Sequence, residues 1–365
     1  MLPEYGRRSL AEVLPSLLAA LGVGGAPALP VEPARAAALL LVDGLGSELL
    51  REHAADAPFL ASLPDAGPLT VGFPSSTVVS LASVGTGLPP GSHGMVGTSF
   101  EVDGTRLDGL NWRADADPAP ERVQPAPTVF ERAGAAGVAV TVVSRRVFRD
   151  TPLTRAVLRG GEYRGNRALG DLAAEMITAL TAPGRRLVYG YHADLDTMGH
   201  VYGPGSLPWR VQLAQVDRLV ATLANALPAD AVLAVTGDHG MVTMDRTFDV
   251  DTVPELRAGV RLLAGDPRSR HVYAEPGAAA SVLAAWREVL GDAAVVVPRE
   301  QAVEEGWFGP VAAAFAGRIG DVVVAARDGA GVIRSVAEPA VSSAVGQHGS
   351  LSAAELLVPF LLTRV

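Results

Sequence analysis

Five short, β-rich apolar runs alternate with stretches of helical periodicity, and this alternation is the strongest constraint on the fold. The runs are Ala37 to Val42, Val138 to Val143, Arg186 to Tyr191, Ala231 to Thr236 and Asp321 to Ala325; the helical pattern is best from Val78 to Val84 and from Trp209 to Leu227. Such an order predicts βα units, and so an α/β fold with a mostly parallel core sheet flanked by helices. Between His239 and His348 lies a stretch with its own Pro and Gly punctuation. It predicts a smaller subdomain, at about 245–340, inserted in a single domain spanning 1–365. Phe100 to Leu110 reads as a hairpin turning at Asp103-Gly104.

Three of the runs end alike. LLLVDG places Asp43 at the carboxyl end of one strand, VYGYHADLDTMGH places Asp194, Asp196 and His200 after another, and LAVTGDHG places Asp238 and His239 after a third. In an open α/β sheet the carboxyl ends of the strands line the ligand crevice. One Asp after a strand is ordinarily a turn or a helix cap. Three such ends in one chain, with His348 between glycines in GQHGS as a fourth segment, describe a polar metal site of hard oxygen and borderline nitrogen donors that suit Zn²⁺ or Mn²⁺.

Composition narrows the chemistry further. There is no cysteine, so any metal must sit on Asp, Glu and His. All 30 basic residues are arginine, which removes Schiff-base lysines and a P-loop lysine. The net charge of −9 gives no footprint for nucleic-acid backbones or anionic membranes. No apolar run reaches the ~20 residues of a membrane span. Arg7 and Arg8 followed by apolar sequence to Leu21 look superficially like an export signal, but Ser9 with Glu12 forms a capping-box pair, and Gly22 and Gly24 supply a helix stop. The expectation is a helix there, and a cytoplasmic protein.

The nucleophile candidate lies in FPSSTVVSLASVGTGLPPGSHG. Pro74 stiffens the approach and a helix starts near Thr77, so free amides and the helix dipole point at whatever Thr77 attacks. Ser75, Ser76 and Thr77 are equally good as plain N-caps, and this segment alone does not separate the two readings.

Taken together, the segments resemble the alkaline phosphatase superfamily and, within it, the type I phosphodiesterase and nucleotide pyrophosphatase family. The resemblance rests on order: an early Asp43 after a strand, F-P-S-x-T ending at Thr77, T-G-L-x-P-x-x-H-G, Asp196 to Gly199-His200, Asp238-His239-Gly240, and His348-Gly349. It implies a core of that superfamily's type and two divalent metal ions, with Asp196, His200 and His348 on one. Asp43, Asp238 and His239 would hold the other, with Thr77 as a further ligand and as nucleophile. Two ions ~4 Å apart bridge a phosphoryl oxygen and lower the pKa of a hydroxyl. It also implies hydrolysis of small phosphodiesters or nucleotide pyrophosphates through a phospho-threonine-type intermediate, and a substrate-binding role for Thr98. Related diesterases carry an Asn amide at that position, 21 places after the nucleophile; this chain offers a shorter hydroxyl.

A phosphomonoesterase on the same two-metal site is the alternative, and a catalytically silent metal-binding module is a third reading. Arg145, Arg146, Arg149, Arg155, Arg159 and Arg164 form a basic run whose ordinary reading is a solvated face, with a phosphate clamp as the alternative. His93 reads as structural, His192 as a strand-end residue and reserve ligand, His53 and His271 as surface positions, and Asp217 with Arg218 as a surface or cap-stabilising pair.

Overall fold

A computed structural model describes residues 1–364. In chain order the elements that build and frame the site are α1 (Val13–Ala20), β1 (Ala36–Val42), α2 (Thr77–Thr86), β2 (Ala139–Arg145), β3 (Glu162–Asn166) and α3 (Leu169–Thr181). They continue with β4 (Arg186–His192), α4 (Asp194–Tyr202), α5 (Leu207–Asn225), β5 (Ala231–Gly237), β6 (Val260–Asp266) and β7 (Ser269–Ala274). The last are α6 (Ala279–Leu290), β8 (Ala294–Pro298), β9 (Val322–Ala326) and β10 (Leu361–Thr363).

The core is a six-stranded sheet in the order β10-β5-β1-β4-β2-β3, parallel except for β10. Every residue of β1 and β5 is buried, because helices cover both faces. The faces divide by alternation. Ala37, Leu39 and Leu41 pack into the cluster that holds Leu14 and Leu17 of α1 and Val78 and Ala82 of α2. Ala38, Leu40 and Val42 pack with Met176 of α3 and with Trp209, Leu213 and Val220 of α5. Register fixes the site: Val42 pairs with His192 on one side and Gly237 on the other, so Asp43 and Asp238 leave the sheet side by side.

A second, four-stranded antiparallel sheet has the order β6-β7-β9-β8 and packs Val282, Trp286 and Leu290 of α6 against it. The Asp321 to Ala325 run, expected among the parallel strands, is β9 of this sheet. A Val/Ala run is buried in either setting, and its composition does not name its partner. Two strands of the core sheet, and β6, β7 and β8 of the second, went unforeseen. β3 is a polar edge strand, Glu162-Tyr163-Arg164-Gly165-Asn166, and β10 is three residues near the carboxyl end. The hairpin is present as Ser99–Val102 paired with Thr105–Asp108, with Asp103 and Gly104 both at positive φ. The Ser9 amide donates to Glu12 Oε2 at 2.9 Å ahead of α1. Among the described residues, no helix is long and apolar enough to cross a membrane.

Candidate active site

Four segments meet at the carboxyl edge of the core sheet. Asp43 follows β1; Asp238 and His239 follow β5; Asp196 and His200 lie one turn apart on α4; His348 comes from the loop after the short strand Gly346–Gln347. The crowding needs bare backbone. Gly44 sits at φ +76°, and a Cβ there would come within 3.0 Å of the Asp196 backbone.

Ligand-type atoms of Asp43, Asp238 and His239 lie within 4.8 Å of one another, and so do those of Asp196, His239 and His348. His239 thus stands between the two groups, its ring stacked on His348 with centroids 3.5 Å apart. His200 completes the second group: its Nε2 is 3.3 Å from Asp196 Oδ2 and 3.3 Å from His348 Nε2. His239 Nε2 is 3.4 Å from Asp43 Oδ1, 3.5 Å from Asp238 Oδ2 and 3.2 Å from Thr77 Oγ1.

Two features of this cluster fit divalent cations. Asp43 Oδ1, Asp196 Oδ1 and Asp238 Oδ2 are buried with no hydrogen-bond partner, a costly arrangement for oxygens with nothing else to bind. Burial, and then the charge of Asp238, pushes Asp43 well above the usual carboxylate range. Burial and the Asp43 charge push Asp196 up to about 8, and burial pushes Asp238 up to about 7 although the Gly44 amide, 3.0 Å from its Oδ1, opposes it. The other feature is the state of the imidazoles. His200 Nδ1 lies 2.8 Å from Gly346 O, His239 Nδ1 3.0 Å from Gly240 O, and His348 Nδ1 2.9 Å from Ser75 O. A carbonyl only accepts, so each Nδ1 carries the proton and each Nε2 presents its lone pair to the centre. Burial lowers His239 to about 4 and, with neighbouring His239 and His200, holds His348 well below its ordinary value, so both stay neutral.

Thr77 is the first residue of α2, behind the extended Ser76. Ser80, one turn on, donates to the carbonyl of Asp238 at 2.5 Å and ties the helix start to the acids. Ser75 faces away, donating to Ser350 O at 2.8 Å. A cavity of about 150 Å³ opens beside Thr77, walled by Leu81, Leu110, Trp112, Phe148, Tyr189 and Tyr191 among others, with no charged residue in its lining. Tyr191 reaches past this wall and donates its hydroxyl to Asp43 Oδ2. Sequence reasoning saw Tyr191 only as a strand residue. The signal was its position, next to last in a strand whose last residue pairs with Val42.

Thr98 is half-buried; its carbonyl accepts the Gly109 amide at 2.8 Å in the cavity wall, and its side chain tempers the rise of the neighbouring Asp266 carboxyl, which burial pushes up to about 7. His192 lies outside the cluster, 3.0 Å from Gln212. His93 is buried between Ser83 and the Met95 amide, a structural histidine. His271, expected at the surface, is instead buried in β7, with Nε2 2.8 Å from Val96 O and Nδ1 accepting the Gly320 amide at 3.1 Å. His53 is half-buried against Trp209. Asp217 is no surface partner of Arg218: it is buried and accepts the Leu60 amide at 2.8 Å, capping the neighbouring short helix from α5. The arginine run is mostly paired off. Arg155 meets Glu121, Arg159 meets Glu131, Arg164 meets Glu162 and Glu175, and Arg145 meets Asp194.

A sequence profile of the type I phosphodiesterase / nucleotide pyrophosphatase family matches residues 37–351. The chain belongs to that family. The family is one of metal-dependent hydrolases, and the donor-rich strand ends of this chain's α/β fold are its candidate ligand groups. Its fold is similar to murine ectonucleotide pyrophosphatase / phosphodiesterase 5, with a TM-score of 0.72 at 19% identity over 90% of this chain and 88% of that one. It is also similar to phosphonoacetate hydrolase from Sinorhizobium meliloti 1021 in complex with phosphonoformate, with a TM-score of 0.69 at 20% identity over 91% of each chain. Among curated relatives, 65 residues are 38% identical to human ectonucleotide pyrophosphatase/phosphodiesterase family member 7, spanning 16% of this chain and 14% of that protein. A 55-residue stretch is 34% identical to GPI ethanolamine phosphate transferase 3 of Eremothecium gossypii, spanning 15% of this chain and 5% of that protein.

Proposed function

We propose that this family member hydrolyses phosphodiesters or nucleotide pyrophosphates, with Thr77 as nucleophile and two divalent ions at Asp43/Asp238/His239 and Asp196/His200/His348. The observation that carries the reading is convergence: orphaned carboxylate oxygens and three imidazoles gather at one sheet edge, where the Thr77 hydroxyl at a helix start lies 3.2 Å from His239 Nε2. Three carboxylates and three imidazoles suit Zn²⁺, with Mn²⁺ as the alternative. When bound, two such ions supply Lewis acidity to a phosphoryl oxygen, to the attacking hydroxyl and to the leaving oxygen. The protein's own share is positioning. The α2 amides face the incoming anion, Ser80 holds α2 against Asp238, and the buried acids stay fixed by Tyr191 and Gly44. Attack by Thr77 Oγ1 on phosphorus displaces the leaving alcohol or phosphate, and water then releases the phospho-threonine.

The uncharged cavity beside Thr77 supports a diester over a monoester. A diester carries a second organic substituent that Trp112, Leu110 and Phe148 can cover, whereas a monoester dianion asks for added cationic donors, and most of the arginine run is already paired. An aromatic group, a nucleobase included, suits such walls. An inactive variant of the murine neighbour is described in complex with AMP, in keeping with a nucleotide substrate. The test is kcat/KM for a matched nitrophenyl diester and monoester with Zn²⁺ and with Mn²⁺, on wild type, Thr77→Ala and Thr77→Ser. The reading requires a diester preference, loss of turnover in Thr77→Ala at unchanged metal content, and substantial retention in Thr77→Ser. Activity surviving in Thr77→Ala, but lost in Ser75→Ala or Ser76→Ala, would move the nucleophile.

A further inference from the structure

Ligand His348 sits in a loop with little regular structure, and that loop is anchored from an unexpected side. Arg268, in the turn between β6 and β7, and Glu355 are both fully buried. They form a two-point pair, Nε to Oε1 at 3.0 Å and Nη2 to Oε2 at 2.8 Å. Arg268 Nη1 also donates to the Ala330 and Arg327 carbonyls, so the guanidinium is rooted in the second sheet's surroundings.

Glu355 passes that rigidity to the metal loops. Its Oε1 accepts the Ser350 amide at 3.0 Å and its Oε2 accepts the Ser352 hydroxyl at 2.5 Å, two and four residues past His348. Its main-chain carbonyl accepts the Gly240 amide at 2.9 Å, next to His239. The approach is close enough that a Cβ on Gly240 would stand 1.9 Å from the Ala354 carbonyl oxygen. On the far side Ser75 Oγ accepts the Gly349 amide at 3.1 Å and donates to Ser350 O at 2.8 Å. His348 and His239, the stacked pair between the two ligand groups, are therefore both referred to one carboxylate residue.

A buried ion pair is a poor choice for stability alone, since an apolar pair of similar volume packs as well without desolvating two charges. What an apolar pair lacks is acceptor oxygens for the Ser350 amide and the Ser352 hydroxyl. We propose that Arg268 and Glu355 are positioning residues for the metal centre: the pair fixes the His348 loop, and through Gly240 the His239 loop, at the spacing two ions require. This rests on the two-ion reading given above.

The test is zinc affinity by chelator competition on wild type, on the double variant Arg268→Met/Glu355→Leu and on Glu355→Gln. The absorption of the Co²⁺-loaded proteins reports ligand geometry alongside. The double variant leaves no charge unpaired and keeps the core filled, so its metal-free form should stay folded by circular dichroism. It should nevertheless bind zinc at least tenfold more weakly and give a shifted Co²⁺ spectrum. Glu355→Gln retains an acceptor for the Ser350 amide and should lose less. Zinc affinity within twofold of wild type in the double variant, with an unshifted Co²⁺ spectrum, overturns the positioning role and leaves the metal centre standing. Should the double variant not fold, Glu355→Gln decides: unchanged affinity and spectrum overturn the proposal, and a weakened, spectrally shifted site supports it. A wild type that takes up no zinc, Mn²⁺ or Co²⁺ overturns the centre itself and the clamp with it.

Discussion

The two halves of the centre are made by different means. Asp43, Asp238 and His239 project from adjacent strands whose register is set by seven paired residues on each side of β1, and their side chains are at most 6% exposed. Asp196, His200 and His348 come from one helical turn and a loop, and their side chains are 14%, 30% and 9% exposed. The first half inherits its geometry from the sheet; the second depends on tertiary contacts such as those of Glu355. The inner half should hold its ion more tightly and the outer half should exchange first. This ordering can be broken by experiment.

The largest effect is expected at Asp238. Asp238→Asn keeps an oxygen for the Gly44 amide, so the fold should stand, while kcat falls by at least about 10²–10³, the scale of losing one preorganised electrostatic contact to the transition state. His200→Gln should lose less, and part of its activity should return as free zinc is raised; a larger, irrecoverable loss at His200 reverses the ordering. Next comes Tyr191→Phe, which removes the hydroxyl that orients Asp43. Metal affinity should fall by about 10–100-fold, as for other outer partners of ligands. Equal loss of both equivalents, followed by chelator titration, would show that the halves are not independent.

A further expectation concerns pH. Asp238 and Asp196 have folded pKa values raised to about 7 and about 8, with Asp43 raised as well. A raised carboxyl contributes stability that is present below its unfolded value of about 4 and is lost as pH climbs through the folded value. The Tm of metal-free protein should therefore fall from about pH 5 to about pH 8. With metal bound the trend should invert, since protons compete with the ions for the same oxygens. Parallel Tm profiles with and without metal would contradict the assignment. The smallest effect is expected at Arg164→Ala, on the remote edge strand: a stability change within about 1 kcal/mol and unchanged diester turnover. A loss of turnover there would revive the clamp reading of the arginine run.

The contrast also explains what could be read from sequence. The inner half was legible because several apolar runs end alike in Asp, and the carboxyl ends of parallel strands share one edge. Asp196 with His200 came from the order of motifs; that one turn of α4 carries both was not read. His348 came from the order of motifs alone, since nothing in GQHGS says where the loop goes. Tyr191 was hidden inside a strand pattern, where a large residue reads as core. Arg268 and Glu355 are 87 positions apart and each looks like a surface charge. Only folding shows that both are dry. His271 failed for the same reason: in SRHVYA two polar residues, Arg270 and His271, are buried by their partners on β6 and β9.

The acceptors that orient the three imidazoles belong to the main chain at residues 75, 240 and 346. A side-chain substitution cannot remove a carbonyl. At Gly346 an added Cβ would stand 2.5 Å from the Gly199 carbonyl oxygen, so a mutational scan would mark the position as intolerant and credit size. At Ser75 it would credit the hydroxyl. The contacts that set the protonation pattern of the centre thus lie in the part of the polymer every residue type shares. A library of substitutions can crowd or displace them, but it has no letter that spells their deletion.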